Sequence, residues 1–156
     1  MKLRFVTCSD AESAAIRTRE GGMAPWFGFT PSHVEMVVKE GYLGAHAQGG
    51  VAIRPVGYDQ ATLAHERIVD IGGDDAAAET YARSKIGTPY DWGAIFDFVD
   101  FVLPTEFHQK AHLICSAFMT ITGRKASALP FRLACRAHEL SPRDLALVIS
   151  GRMAID

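Results

Sequence analysis

The chain has 156 residues, of which 48% are hydrophobic and 22% charged, a balance typical of a globular domain with its own core. Its net charge of −2 excludes binding to nucleic acid or an anionic membrane through a general basic field. The three cysteines Cys8, Cys115 and Cys135 cannot all pair within one chain, and no CxxC spacing indicates zinc, so we expect reduced thiols.

The N-terminal stretch MKLRFVTCSD has basic residues but no long apolar core, so it does not resemble a signal peptide. No apolar run reaches the length of a membrane span. We therefore expect a cytoplasmic protein as written, with export by another route left open.

The first part of the chain predicts a strand, a helix and a long loop. Lys2–Thr7 alternates as a strand does, and Ser9 or Asp10 caps a helix that ends at a Gly-Gly pair. The loop Met23–Pro31 is unusually aromatic. Its aromatic residues either pack under a long connection or form one wall of a binding cleft: Trp26, Phe27 and Phe29.

A three-stranded meander is predicted next. His33–Lys39, Leu43–Ala47 and Val51–Arg54 are β-rich runs separated by glycine turns. A further strand is expected around Glu66–Ile71. A helix over Ala76–Ile86 then follows an aspartate cap at position 74 or 75.

The second half of the chain is predicted to be mainly helical. Helices are expected over Ala94–Leu103, from Cys115 to Gly123, and over Arg132–Leu140. Ser141-Pro142 is a helix-start pattern, and Leu147–Ser150 is predicted to be a last short strand. No repeat or linker divides the chain, so the sequence predicts a single α+β domain over residues 1–156.

Cys115 is a candidate nucleophile because it lies at the predicted start of a helix. The positive end of the helix dipole stabilises a thiolate at that position. The alternative is that Cys115 is a small buried hydrophobic residue. Cys8, at a strand-to-helix junction, is the second candidate.

His33 and His46 are candidates for the base and its orienting partner. The tight turn between their strands makes them antiparallel neighbours, which can bring both imidazoles to one face of the sheet. Glu35, two residues after His33, shares that face and is the competing orienter. The alternative for Glu35 is a solvated position on an edge strand.

No metal and no cofactor are predicted. Cys135 and His138 are three residues apart on a predicted helix, but no further ligand is close in sequence. His108 and His112 have helical spacing without a HExxH pattern. No glycine-rich phosphate-binding loop is present.

Two sequence blocks resemble the NlpC-type cysteine peptidases, which have a papain-like fold. The first contains GTPYDWG and ICSAF, and the second contains SHVEMVV and GAHAQGGVAI. The histidine block precedes the cysteine block, as in the circularly permuted, YiiX-like branch of that superfamily and in the lecithin–retinol acyltransferase type. The resemblance covers roughly residues 30–54 and 86–123. It implies a permuted papain-like α+β fold in which an antiparallel sheet packs against the cysteine helix.

The resemblance also implies roles. Cys115 would be the nucleophile, His33 the general base, His46 the polar third member, and Tyr90 a donor to the oxyanion. Side chains expected to contact substrate are aromatic: Trp26, Phe27, Phe29 and Trp92.

The implied function is a thiol peptidase or amidase acting on a small peptide, such as a cell-wall stem peptide. The aromatic residues Trp26, Phe27 and Phe29, together with the apolar insert at 94–113 that separates Tyr90 from Cys115, motivate a first alternative: a lipid-type acyl hydrolase, acyltransferase or thioesterase. A second alternative is a catalytically idle binding domain. The oligomeric state is left open.

Overall fold

A computed structural model describes residues 1–20, 23–24, 26–91, 114–129 and 140–153. Within these ranges the chain forms a five-stranded antiparallel sheet and four helices, which confirms the α+β class. The strands are β1 (Lys2–Cys8), β2 (His33–Val38), β3 (Gly41–His46), β4 (Gly50–Arg54) and β5 (Leu63–Asp70). The helices are α1 (Ala11–Glu20), α2 (Asp75–Arg83), α3 (Cys115–Lys125) and α4 (Pro142–Met153).

The sheet has the order β4-β3-β2-β1-β5, so the predicted meander of β2, β3 and β4 is confirmed. β2 is an interior strand, flanked by β1 and β3. Phe5 pairs with Val34 in the register of β1 and β2, and Arg4 pairs with Glu35. Because side chains alternate between the two faces of a strand, one face of this sheet is apolar and the other carries buried charge.

The hydrophobic core lies between the apolar face of the sheet and the helices. α3 packs against β2 and β3, and α2 packs against α3. Phe118 and Met119 of α3 are fully buried in this core. The helix that begins at Cys115 is therefore fixed to the two strands that carry the predicted histidines.

Three helix starts follow the capping rules read from the sequence. The Asp10 carboxylate accepts the Ser13 N–H at 2.8 Å, and the Asp74 carboxylate accepts the Ala77 N–H at 3.0 Å. Before α4, the Ser141 hydroxyl accepts the Asp144 N–H at 3.0 Å, a reciprocal capping box.

The predicted strand at Leu147–Ser150 is wrong, because α4 continues through it. A short apolar run has the same local composition in a buried helix and in a strand. Here Leu145 and Ile149, four residues apart, are both buried on one side of the helix.

The aromatic loop mainly contributes to the core. Phe27 packs edge-to-face against Phe5 at 4.8 Å between ring centroids, and Phe29 packs edge-to-face against Phe27 at 5.9 Å. Trp26 is 40% exposed, and the guanidinium of Arg67 lies 3.8 Å from its ring centroid. Packing under a long connection thus accounts for Phe27 and Phe29.

Several predictions lie outside the described residues. These are the helix at Ala94–Leu103, all of the helix at Arg132–Leu140 except its last residue, and the side chains of Trp92, His108, His112, Cys135 and His138. Across the described ranges, no helix has the length and apolar character needed to cross a membrane.

Candidate active site

A buried carboxylate, that of Glu35, lies at the centre of the candidate site. Its side chain is 0% exposed, and its strand is interior. The alternative of a solvated position on an edge strand is therefore wrong. Arg4, its register partner on β1, donates from Nη1 to Oε1 at 2.5 Å.

Arg4 connects Glu35 to two further carboxylates. It is 1% exposed and donates from Nε to Glu66 at 2.6 Å and from Nη2 to Asp59 at 3.1 Å. Its guanidinium also lies 4.1 Å from the ring centroid of Tyr42. Burial opposes the Arg4 charge, but hydrogen bonds to Glu35 and Glu66 outweigh it and raise the pKa of Arg4 above its usual range.

Two imidazoles meet the other oxygen of Glu35. His33 Nε2 lies 3.5 Å and His46 Nε2 3.3 Å from Oε2, and the two ring centroids are 4.4 Å apart. Both nitrogens are buried, and neither makes a well-aligned hydrogen bond to another described residue. The Tyr58 hydroxyl donates to the same oxygen at 3.2 Å. The structure thus brings His33, Glu35 and His46 together, as the sequence predicted.

A glycine makes this close approach possible. A Cβ atom on Gly44 would lie 2.9 Å from the Glu35 Cβ, 3.1 Å from His46 Nε2 and 3.3 Å from Glu35 Oε2. A side chain at this position would therefore displace the carboxylate and the imidazole from each other.

The electrostatics separate the roles of the two histidines. Burial and the positive charge of His33 lower the pKa of His46 to about 4, so His46 is neutral near pH 7. Burial would raise the pKa of Glu35, but the close contacts of its carboxylate with the imidazoles of His33 and His46 lower it far below its usual range. The carboxylate is therefore ionised and available to stabilise a positive charge on His33.

Cys115 interacts with His33. Burial would lower the pKa of His33, but its interactions with the charge and the sulfur of Cys115, and after them with the Glu35 carboxylate, raise it to about 10. Cys115 is the first residue of α3, as predicted, and the first turn of this helix has neither a side-chain cap nor an acidic residue. The positive end of the helix dipole thus acts on the sulfur, and no acidic side chain in the first turn of the helix opposes it.

Tyr90 is near the same sulfur. Burial, and after it the charge of Cys115, raise the pKa of Tyr90 well above its usual range, so its hydroxyl stays protonated. The preceding turn is fixed to β4, because Val51 donates to the Thr88 carbonyl and accepts from the Gly87 N–H, each at 2.9 Å. Tyr90 is consequently positioned as a buried donor.

A cavity of about 270 Å³ opens beside the two imidazoles. Its wall includes His33, His46 and Tyr90. Cys115, which is 3% exposed, does not line the cavity, although it interacts with His33 and Tyr90, which do. The predicted substrate-contacting residues Trp26, Phe27 and Phe29 do not line it either. Cys8 does, and burial raises the pKa of its thiol.

Sequence reasoning missed Arg4 and Tyr58, which bond to Glu35, and Asp59, which bonds to Arg4. Strand alternation placed Arg4 on the face opposite Leu3 and Phe5, but that pattern does not distinguish a solvated face from a buried one. Tyr58 and Asp59 belong to the connection between β4 and β5, which folds over the charged face. No local pattern indicates where such a connection folds.

Comparison of the chain with family models, with curated proteins and with solved structures gave no match.

Proposed function

We propose that this protein is a cysteine hydrolase of a circularly permuted papain-like fold, cleaving an amide of a small peptide. The single observation that carries this proposal is the pairing of Cys115, at a helix start, with an imidazole held by a buried carboxylate. The two sequence blocks that resemble NlpC-type peptidases add independent support for the same residues.

In the proposed mechanism, His33 accepts the proton of the Cys115 thiol, giving a thiolate and an imidazolium. The thiolate attacks the substrate carbonyl carbon, and the Tyr90 hydroxyl and backbone N–H groups at the start of α3 stabilise the oxyanion. His33 then protonates the leaving amine as the C–N bond breaks. A water molecule, deprotonated by His33, attacks the thioester and releases the acid and the free thiol.

We assign the role of orienting His33 to Glu35, which the sequence analysis gave as the alternative to His46. His46 then supports Glu35. Glu35 is ionised and lies 3.5 Å from His33 Nε2, whereas His46 is neutral and reaches the same carboxylate. A carboxylate stabilises an imidazolium more strongly than a neutral imidazole does. With Nε2 next to Glu35, Nδ1 is the nitrogen left for the sulfur.

The composition of the cavity favours a polar peptide over a fatty acyl chain. Charged side chains contribute to its wall, among them Asp10, Glu12 and Arg54. The aromatic residues that suggested an acyl-chain wall, Phe27 and Phe29, pack in the core instead.

A specific observation favours the second candidate, a binding domain with a structural thiol: Cys115 is only 3% exposed.

Alkylation tests the nucleophile directly. Iodoacetamide at about pH 6 should modify Cys115 in preference to Cys8 and Cys135, because the proposed mechanism pairs Cys115 alone with an imidazole base. Peptide mapping by mass spectrometry identifies the modified residue. Equal labelling of all three, or an inert Cys115, contradicts the enzyme proposal and supports the binding domain.

Acyl-enzyme trapping tests the substrate class. The protein is incubated separately with peptidoglycan fragments, short-chain thioesters and phospholipid, and the intact mass is measured. We expect the wild type and Cys8→Ala to form a peptidyl adduct, and Cys115→Ala to form none. A fatty acyl adduct on Cys115 would overturn the peptide assignment in favour of a lipid-type acyl hydrolase.

A further inference from the structure

The cluster formed by His33, Glu35 and His46 has the donor set of a metal centre. Two imidazole nitrogens and one carboxylate oxygen face one another, and all three lie within 4.8 Å of each other. Two histidines and a glutamate, with a fourth position for water, form one of the known zinc coordination sets.

The two nitrogen–oxygen distances are longer than ordinary hydrogen bonds and match the separation of two ligand atoms on one ion. An N–H···O bond has a donor–acceptor distance of about 2.7–3.2 Å. The ligand atoms around a tetrahedral zinc ion, with bonds of about 2.0–2.2 Å, are about 3.3–3.5 Å apart. The nitrogen–oxygen distances here are 3.5 Å for His33 and 3.3 Å for His46.

Both nitrogens also need a partner. His33 Nε2 and His46 Nε2 are buried and make no hydrogen bond within the described residues. An unsatisfied buried polar group is destabilising, and a pair of them directed at one carboxylate oxygen calls for a specific explanation. A metal ion would satisfy both nitrogens at once.

The surroundings suit a cation. Among the described residues, Arg4 is the one arginine or lysine ion-paired with the Glu35, Asp59 and Glu66 carboxylates, so this group has two formal negative charges if the imidazoles are neutral. The Arg54 guanidinium acts on His46 and Glu35 from farther away and offsets part of that charge. The Arg4 guanidinium and the Tyr58 hydroxyl fix the Glu35 carboxylate, as residues behind a metal ligand do.

An ion at this cluster would also have space and a path of entry. Gly44 leaves the position next to His46 Nε2 and Glu35 Oε2 free of a side chain. His33 and His46 line the cavity, which gives an ion a path of entry and a free coordination position.

We propose that His33, Glu35 and His46 form a binding site for one divalent transition-metal ion of the zinc class. Imidazole ligands favour such ions over Mg²⁺ and Ca²⁺, which prefer all-oxygen sites.

A consequence follows for catalysis, and this consequence alone rests on the proposed function. An ion bound to His33 Nε2 takes the place of the proton that this nitrogen carries in the imidazolium form. The bound ion also lowers the basicity of the imidazole ring. The metal-bound state and the thiolate–imidazolium state therefore exclude each other. Zinc acts as an inhibitor of the hydrolase.

Calorimetric titration with zinc chloride alone, repeated with Co²⁺ followed by its visible absorption, tests the site. The wild type should bind one ion with the absorption of a tetrahedral site. His46→Ala should bind about 100-fold more weakly or worse, since it lacks one of three ligands. His65→Ala is the matched control, because His65 is an exposed histidine on β5 away from the cluster. It should bind as the wild type does.

Two further variants keep the test decisive. His46→Asn replaces His46→Ala if circular dichroism shows that the alanine variant is unfolded. Cys115→Ala should still bind the ion, which separates the metal site from the thiol chemistry. The proposal is overturned if the wild type takes up no stoichiometric ion, if the His46 variant binds as tightly as His65→Ala, or if uptake requires Cys115. Alkylation of metal-free protein tests the hydrolase independently of these results.

Discussion

Replacing Glu35 by glutamine removes one charge from the centre of the site with almost no change of shape. The carboxylate lies 3.5 Å from His33 Nε2. Two unit charges at that distance interact by about 5 kcal/mol at an effective dielectric constant of about 20. The glutamine carbonyl retains a dipole, so we expect about half of that energy to be lost. A loss of about 2–3 kcal/mol corresponds to a 30- to 150-fold slower reaction.

The measured quantity is the rate constant for iodoacetamide alkylation of Cys115 at about pH 6, where ordinary thiols are protonated. Cys8 in the same molecules provides an internal reference. The Glu35→Gln protein should stay folded, because Arg4 keeps its bonds to Asp59 and Glu66. We expect a stability cost of about 1.5–3 kcal/mol for the lost charged hydrogen bond.

Glu66→Gln is the matched control for this experiment. It removes another Arg4 partner, at 2.6 Å, but in the part of the chain that the structure describes Glu66 makes no hydrogen bond or ion pair with either imidazole. Its Cys115 should alkylate at the wild-type rate. If Cys115 of Glu35→Gln is alkylated at the wild-type rate, Glu35 does not orient His33. If Cys115 of His46→Ala is then alkylated slowly, His46 has the orienting role.

Three further predictions concern residues that contact Glu35 or His46. Arg4→Met should destabilise the protein by about 3–5 kcal/mol in urea unfolding, because it leaves buried carboxylates without their cation; a loss below about 1 kcal/mol would contradict the ion-pair assignment. His46 has a pKa of about 4 in the folded protein and 6.5 as its ordinary value, so only the unfolded chain binds its proton between these pH values. Stability should therefore fall as pH is lowered from 6.5 to 4, by roughly 3 kcal/mol, and thermal melts of His46→Asn should show a shallower decline. Gly44→Ala should slow Cys115 alkylation at least tenfold by displacing Glu35 from His46, whereas Gly151→Ala, at an open helical position, should leave it unchanged; equal rates would show that the close approach is unimportant.

Local sequence signals predicted the secondary structure near the site well. Glycine turns and β-branched runs specify the meander, and short polar residues at positions 10, 74 and 141 cap helices as expected. The error at Leu147–Ser150 arose because four apolar or small residues do not distinguish a strand from a continuing helix. The outcome there depended on the capping box upstream and on the core contacts of Leu145 and Ile149.

The sequence by itself determined which residues meet at the imidazole cluster. His33 and Glu35 are two positions apart on one strand, and a tight turn brings His46 beside them, so strand geometry alone puts all three on one face. The start of a helix at Cys115 was likewise a local property, because helix ends follow from short-range patterns.

Only the tertiary structure decided how these residues are held. The sheet order puts β2 in the interior, which makes Glu35 a buried ion rather than a solvated one. β1 and the connection after β4 then supply Arg4, Asp59 and Tyr58 from distant parts of the chain. The ionisation of a buried group depends on its desolvation and on its charged neighbours, and both are set by long-range packing that no local sequence pattern encodes.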